Sequence, residues 1–290
     1  MKFIHTFWSK PLLNNKFSRM ETLLPITINQ YAYSAECIHN LNHKIILFAD
    51  EIGVELLSCI PYDEVIIVPN LENESVNFAA QLKFYALEHS DLGDCIIDGD
   101  LFIRSDKVLP ILNKPVDCIY SFFEPTVYTL PDLNKAKYYY DLFQTMNKIP
   151  YEKPYALSMK LSDLQWMNTS LIKINSQPLK DEYIRQYYHH KKLLNQFEFT
   201  AWPDIIIEQR FLTLLVSSNN YTSSPIVEGF AIDSKANKVA LDLGFTHLGG
   251  GKVVYNDWVK KLFSESNSIL FDKTVKHIKK MWKKFKPTVN

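Results

Sequence analysis

The N-terminal part of the sequence alternates short apolar runs rich in β-forming residues with helical patterns, and this alternation constrains the fold more than any other feature. Strand–helix alternation at this rhythm predicts an α/β fold with a mostly parallel sheet that is covered on both faces. The less regular second half predicts two further strands and one more helix. The predicted strands are residues 3–7, 44–49, 64–68, 95–97, 117–122, 171–175 and 239–243. The predicted helices are residues 28–39, 51–58, 75–89 and 205–216.

Composition excludes several classes of protein. Lys and Arg number 32 and Asp and Glu also number 32, so global charge gives no argument for nucleic-acid binding. The four cysteines form no C-x-x-C pair, which argues against zinc fingers and a disulfide framework and favours a reducing, cytoplasmic location. The apolar runs are strand-length and the N-terminus lacks signal-peptide features, so we expect a soluble protein.

The most informative motif is Asp98-Gly99-Asp100, which follows the fourth predicted strand. Ligands of doubly wound sheets bind at the carboxyl ends of strands, and carboxylates at i and i+2 point to the same side. Hard oxygen donors in this arrangement suit Mg²⁺ or Mn²⁺ holding a diphosphate. The alternative is a turn between two strands, since Asp-Gly is also typical of hairpins.

A second unusual segment contains three consecutive glycines, Gly249–Gly251, in a chain with eight glycines in total. Such a run indicates close approach of the backbone to an anionic ligand, with Gly250 at its centre and His247 beside it. It lacks the Gly-Lys-Ser/Thr spacing of a phosphate-binding P-loop. A surface turn with an exposed histidine is the alternative interpretation.

Four other residues are candidates with a structural alternative for each. Phe7 and Trp8 at the first strand end could stack on a nucleotide base, or belong to the core. Arg104 could neutralise phosphate, or be a solvated surface residue. Glu208 could be the general base of an inverting reaction, or lie on a helix surface.

The position of Asp98-Gly99-Asp100 resembles the DxD motif of GT-A-fold glycosyltransferases, and other segments follow in that family's order. Lys83 lies in the helix before the motif, where many members carry a basic residue near the donor. The segment 166–171, with Asn168, resembles the loop that enters the donor-sugar pocket, although Thr169-Ser170 replaces Ser-Gly. The segment 204–211, with Glu208, lies where the family has an acidic residue.

The segment 246–252 resembles the C-terminal His-x-x-Gly-x-x-Lys segment of glycogenin-type and bacterial galactosyltransferases. By this resemblance His247 completes the metal site with Asp98 and Asp100, and Lys252 contacts the diphosphate. Lys252 comes one residue earlier than is usual in the family.

The resemblance implies a GT-A-like, mixed and mostly parallel sheet, Mn²⁺ or Mg²⁺ as cofactor, and hexosyl transfer from a nucleotide-sugar, with UDP-sugars favoured. The acceptor is open among a glycan, a lipid-linked glycan and modified DNA. Stereochemistry is also open: the C-terminal segment favours retention, whereas a Glu208 base favours inversion.

The C-terminal residues have a different character from the rest. Residues 273–286 contain seven lysines around an apolar stripe, Val275, Ile278, Trp282 and Phe285, which is typical of a basic amphipathic helix. We therefore expect a transferase domain over residues 1–262 and a helical extension over residues 263–290. The helix could lie on the inner face of an anionic membrane, bind a nucleic acid, or pack on its own domain.

Three other functions fit parts of the sequence. A non-catalytic binding protein on a transferase-like fold is one alternative, because fold does not fix function. A haloacid-dehalogenase-type phosphatase also uses Asp-x-Asp, but nearer the N-terminus and with Thr or Val where this chain has Phe102. A nucleotidyltransferase would need a glycine-rich loop after the first strand, where this chain has Trp8-Ser9-Lys10-Pro11.

Overall fold

A computed structural model describes residues 1–13, 20–124, 166–195, 206–229, 234–248 and 253–285. The chain divides into two compact units, each assembled from separated stretches. Unit 1 comprises Met1–Glu74, Cys95–Val108 and Leu243–Asn290, and unit 2 comprises Ser75–Asp94 and Leu109–Asp242. No helix among the described residues is long and apolar enough to cross a membrane.

The strands of unit 1 are β1 (Lys2–Phe7), β2 (Lys44–Ala49), β3 (Glu64–Ile67), β4 (Cys95–Ile97), β5 (Leu101–Ile103) and β11 (Phe245–His247). Four of them are parallel, in the order β4-β1-β2-β3, and β5 pairs separately and antiparallel with β11. The helices are α1 (Ser9–Leu13), α2 (Met20–Asn40), α3 (Glu51–Leu57), α9 (Asn256–Ser266) and α10 (Ser268–Phe285), with a 3₁₀ turn at Asp106–Val108.

The strands of unit 2 are β6 (Cys118–Tyr120), β7 (Phe123–Glu124), β8 (Trp166–Met167), β9 (Leu171–Ile174) and β10 (Ser223–Pro225). Strand β6 pairs in parallel with β10 and antiparallel with β9, and β7 pairs antiparallel with β8. The helices are α4 (Gln81–His89), α5 (Leu109–Leu112), α6 (Gln177–Leu194), α7 (Phe211–Ser218) and α8 (Ser234–Asp242), with a 3₁₀ turn at Val76–Phe78 and a π-helical turn at Ile206–Arg210.

The strand pairing confirms the predicted fold class, an α/β protein with mixed and mostly parallel strands. Five consecutive residues of β2, Ile45–Ala49, are buried, so both faces of that strand are covered. This is the burial that a continuous apolar run predicts for a parallel strand. Unit 2 has an aromatic core in which the Phe84 ring stacks on Tyr187, with ring centroids 3.7 Å apart.

One predicted strand and one predicted helix show how short-range patterns mislead. The predicted strand 239–243 is wrong, because residues 234–242 form helix α8 and the strand follows at Phe245–His247. A run this short has no periodicity that separates helix from strand, and Val239 and Leu241 are 40% and 60% exposed on the helix. The predicted helix 75–89 is interrupted, with a 3₁₀ turn first and α4 from Gln81.

Helix α10 packs one side on the rest of unit 1, but the buried side is not the predicted apolar stripe. Leu270, Thr274 and Met281 are buried, while the four residues of the predicted stripe are half-buried. The His277 Nε2 atom lies 2.9 Å from the backbone oxygen of Leu56, which ties the helix to the end of α3.

Asp50 fixes the start of α3 in unit 1. As N-cap its side chain accepts a hydrogen bond from the Gly53 backbone N–H at 3.1 Å. The same side chain accepts from the Ser9 N–H at 2.9 Å and from the Ser9 hydroxyl. One carboxylate therefore holds two helix starts together.

We expect Asp50→Ala to lower the free energy of unfolding by about 2 kcal/mol, because three hydrogen bonds to one half-buried carboxylate are lost. Urea denaturation measures this loss. The control Asp257→Ala, at a side chain that is 95% exposed, should change the value by less than about 0.5 kcal/mol. Equal effects of the two variants would contradict this role of Asp50.

Candidate functional site

The Asp98-Gly99-Asp100 turn connects two strands that do not pair with each other. Strand β4 pairs with β1, whereas β5 pairs with β11, so the motif is a turn between two strands but not the turn of a hairpin. The Leu101 N–H donates to the backbone oxygen of Asp98 at 3.0 Å, which closes the turn. The two carboxylates therefore lie at the carboxyl end of a parallel strand, as the sequence predicts.

Strand β11 brings His247 to this turn. Its antiparallel register places His247 opposite Leu101, and the Leu248 N–H donates to the backbone oxygen of Asp100 at 3.2 Å. His247 Nε2 consequently lies 3.7 Å from Asp100 Oδ2. Backbone pairing thus determines a contact between residues that are far apart in the sequence.

Asp98, Asp100 and His247 form a group whose nearest ligand atoms all lie within 4.8 Å of one another. Asp100 is buried, whereas Asp98 and His247 are half-buried, so the group is reached from solvent on one side. Two atoms bound at about 2.1 Å to one ion lie up to about 4.2 Å apart, so small side-chain movements suffice for shared coordination. The two carboxylates suit Mg²⁺ or Mn²⁺, and the imidazole offers a third ligand atom to the same ion.

A buried side chain, His5, and a half-buried one, Tyr31, lie beside this group in unit 1, and no sequence pattern marks them as site residues. Burial, together with the charges of Asp98 and Asp100, raises the pKa of Tyr31 well above its usual value. Burial lowers the pKa of His5 to about 3, although the Asp100 charge opposes the shift. Both side chains are therefore uncharged at neutral pH.

The other candidates of unit 1 are buried or half-buried. Phe7 and Trp8 are each 6% exposed, as the core alternative expects. The Phe7 ring contacts Tyr31, with ring centroids 5.2 Å apart. Arg104 is half-buried and donates through Nη2 to Thr246 Oγ1 at 3.0 Å, with its guanidinium 5.7 Å from the Trp258 ring centroid.

Lys83 and Glu208 form a buried ion pair in unit 2, with side chains 8% and 10% exposed. Lys83 Nζ also donates to the backbone oxygen of Thr169 at 2.9 Å, and the Thr169 hydroxyl donates to Glu208 Oε1 at 2.5 Å. The Tyr183 hydroxyl donates to the backbone oxygen of Glu208 at 2.5 Å. Lys83 and Glu208, which the family resemblance indicates as separate site residues, thus belong to one polar network with Thr169.

Asn168 belongs to the loop between β8 and β9, and its contacts hold that loop in place. Its Oδ1 accepts from the Ser170 N–H at 2.9 Å, and its own N–H donates to the Phe122 backbone oxygen at 2.8 Å. Ser170 Oγ lies 2.7 Å from Ser121 Oγ. The predicted ligand residues Gly250 and Lys252 lie outside the described residues.

No family model matches the chain, and neither does any curated protein. Among solved structures, it is similar to the glycosyltransferase GlyE of Streptococcus pneumoniae TIGR4, with 12% identity and a TM-score of 0.39. That match covers 77% of this chain and 45% of the GlyE chain, so this chain spans less than half of GlyE.

It is also similar to the galactosyltransferase LgtC, solved in complex with donor and acceptor sugar analogues, with 11% identity and a TM-score of 0.37. This match covers 74% of this chain and 69% of the LgtC chain. Because both TM-scores lie below 0.5, the function proposed below depends on this chain's own residues.

We expect Glu208→Gln to destabilise the protein by roughly 3 kcal/mol, because it leaves the Lys83 ammonium buried without its counter-charge. Lys83→Met should be similarly costly, and the double variant should cost less than the sum of the two. Urea denaturation of all three measures the coupling.

Glu182 and Arg185 form a more exposed pair, with side chains 30% and 53% exposed, and provide the control, since Glu182→Gln should cost less than about 1 kcal/mol. Strictly additive losses for Lys83 and Glu208 would show that the buried pair is not coupled.

Proposed function

We propose that this chain is a metal-dependent glycosyltransferase that moves a sugar from a nucleotide-sugar to an acceptor hydroxyl, with hexosyl transfer and a UDP-sugar donor favoured. The observation that carries the proposal is the group of Asp98, Asp100 and His247 at the end of β4. These are the three residues for which the GT-A resemblance implies metal ligation.

In this proposal Asp98, Asp100 and His247 hold Mn²⁺ or Mg²⁺. When bound, the ion supplies positive charge that stabilises the leaving nucleoside diphosphate. Lys252 and Arg104 add positive charge for the same phosphates, and Gly250 allows their close approach. The acceptor class stays open among a glycan, a lipid-linked glycan and modified DNA.

The Lys83 and Glu208 pair has a positioning part in this proposal. Lys83 holds the backbone oxygen of Thr169 and Glu208 holds its hydroxyl, which fixes the loop that also contains Asn168. Proton abstraction from the acceptor by Glu208 stays a prediction, as does base stacking by Phe7 and Trp8. The division into a transferase domain over 1–262 and an extension over 263–290 is also a proposal.

We expect a nucleotide-sugar to raise the melting temperature only when Mn²⁺ is present, and this shift to disappear in Asp98→Asn and Asp100→Asn. UDP-, GDP- and CDP-sugars are tested in parallel by thermal shift, and release of free sugar measures turnover. Asp106→Asn is the control, because it removes one exposed carboxylate of the same unit and should keep the shift.

Each outcome of this experiment distinguishes a function. Metal-dependent binding with no sugar release or transfer would favour the non-catalytic binding protein. Donor effects that persist in both aspartate variants would contradict the metal site. An absence of any metal-dependent shift would contradict the transferase proposal.

We also propose that the lysine face of α10, defined by Lys276, Lys279, Lys280, Lys283 and Lys284, docks on an anionic membrane surface. These five lysines line one shallow depression, and Lys284 also pairs with Glu55. Another side of the helix, with Leu270, Thr274 and Met281, is buried against the rest of unit 1 and cannot insert into a bilayer. The helix would therefore bind the membrane by attraction between its lysines and anionic headgroups. A planar array of anionic headgroups can contact several lysines of one helix face at once.

Binding to phosphatidylserine-containing vesicles should weaken at least about tenfold when Lys276, Lys279, Lys280 and Lys283 are all changed to Gln, since each lysine near the surface contributes about 1 kcal/mol. Co-sedimentation at low and high salt measures this. The control changes four other exposed lysines, Lys107, Lys192, Lys238 and Lys261, to Gln and should keep binding. Stronger, lysine-dependent binding to duplex DNA than to vesicles would contradict the membrane proposal.

A further inference from the structure

Helix α2 contacts the Asp98-Gly99-Asp100 turn and the residue after it through two side chains, Tyr31 and Ser34. These residues are three positions apart, so they lie on the same side of the helix, one turn apart. Tyr31 contacts Gly99, and Ser34 contacts the backbone oxygen of Leu101. The two contacts therefore fall on either side of Asp100.

The first contact explains why residue 99 is a glycine. A Cβ atom built on Gly99 would lie 2.2–2.4 Å from three atoms of the Tyr31 ring, so the ring occupies the space of a side chain at this position. The ring itself is fixed, because its hydroxyl donates to the Thr6 backbone oxygen at 2.7 Å. The Tyr31 ring also makes edge-to-face contacts with the rings of His5 and Phe7, whose centroids lie 5.0 and 5.2 Å from its own.

The second contact, from Ser34 to Leu101, is the last of three hydrogen bonds that run from Tyr62 through His5 and Ser34. The acceptor at its end is a backbone oxygen, which determines the direction of all three. The Ser34 hydroxyl donates to the Leu101 backbone oxygen at 2.6 Å, so Ser34 Oγ accepts from His5 Nε2, which is 3.0 Å away. With its one proton on Nε2, the neutral His5 ring accepts at Nδ1 from the Tyr62 hydroxyl at 2.9 Å. Every donor in this chain has one acceptor.

We propose that Tyr31 and Ser34 are positioning residues of the Asp98, Asp100 and His247 group, holding the turn so that both carboxylates face the ion before it binds. This inference rests on the metal site of the proposed function. A ligand set that is held in place loses little conformational freedom on binding, and residues that orient metal ligands contribute about 10- to 100-fold in affinity.

The test is the affinity of the full chain for Mn²⁺ alone, measured from the EPR signal of free Mn²⁺ at a temperature well below unfolding. Ser34→Ala and Tyr31→Leu should each weaken Mn²⁺ binding at least about tenfold, because each removes one of the two contacts. Tyr31→Phe keeps the ring against Gly99 and should stay within about threefold of the wild type. The EPR spectrum of bound Mn²⁺ should broaden in the two weakened variants.

Two controls separate positioning from general loss of stability. Tyr187→Leu removes a fully buried ring from the core of unit 2 and should leave Mn²⁺ affinity unchanged. Gly99→Ala should weaken binding in the wild type, and should cost less in the Tyr31→Leu background because the clash is relieved.

The outcomes also separate this inference from the proposed function. If the wild type binds Mn²⁺ and Asp100→Asn abolishes binding, while Ser34→Ala and Tyr31→Leu bind within about threefold, the metal site stands and the positioning inference is wrong. If the wild type does not bind Mn²⁺, or Asp100→Asn binds equally well, the metal site and the inference are both wrong.

Discussion

Parallel pairing of β1 with both β2 and β4 is the constraint on which the candidate metal site depends. The ladder between β1 and β4 aligns their carboxyl ends, so Asp98 follows β4 at the edge where β1 ends in Phe7. The buried β1 residue His5 then lies within reach of α2, which in turn contacts the turn between the two aspartates. Moving the register by one residue would reverse the side chains of β1 and break this connection.

The buried charges of unit 2 are neutralised within an ion pair, whereas those of unit 1 include two neighbouring carboxylates. In unit 2 the Lys83 ammonium and the Glu208 carboxylate neutralise each other, and Thr169 bonds to both. In unit 1 two carboxylates share a site with an imidazole, and burial keeps the neighbouring His5 uncharged. An added cation would lower the repulsion between Asp98 and Asp100, which is a physical reason to expect metal affinity there and none at the unit 2 pair.

The sequence predicted the parts of the fold that local pattern determines. The β2 strand was found at its true bounds because an apolar run buried on both faces is unambiguous, and Asp98 and Asp100 were placed correctly because they follow such a run. The run around Val239 was misread because it is too short for periodicity to decide. Tyr31 and Ser34 were missed because their contacts with Gly99 and Leu101 join residues distant in sequence, and a tyrosine inside a helix carries no mark of such a contact.

The way unit 1 is assembled has a consequence for protein synthesis. Its strands come from the two ends of the chain and from a short central stretch, so the β5–β11 ladder and its histidine cannot form until the C-terminal part has left the ribosome. Unit 2 is complete earlier, since its last residue is Asp242. During translation β5 must therefore wait for β11, which is made later, and this lengthens the time in which a nascent chain needs protection from aggregation.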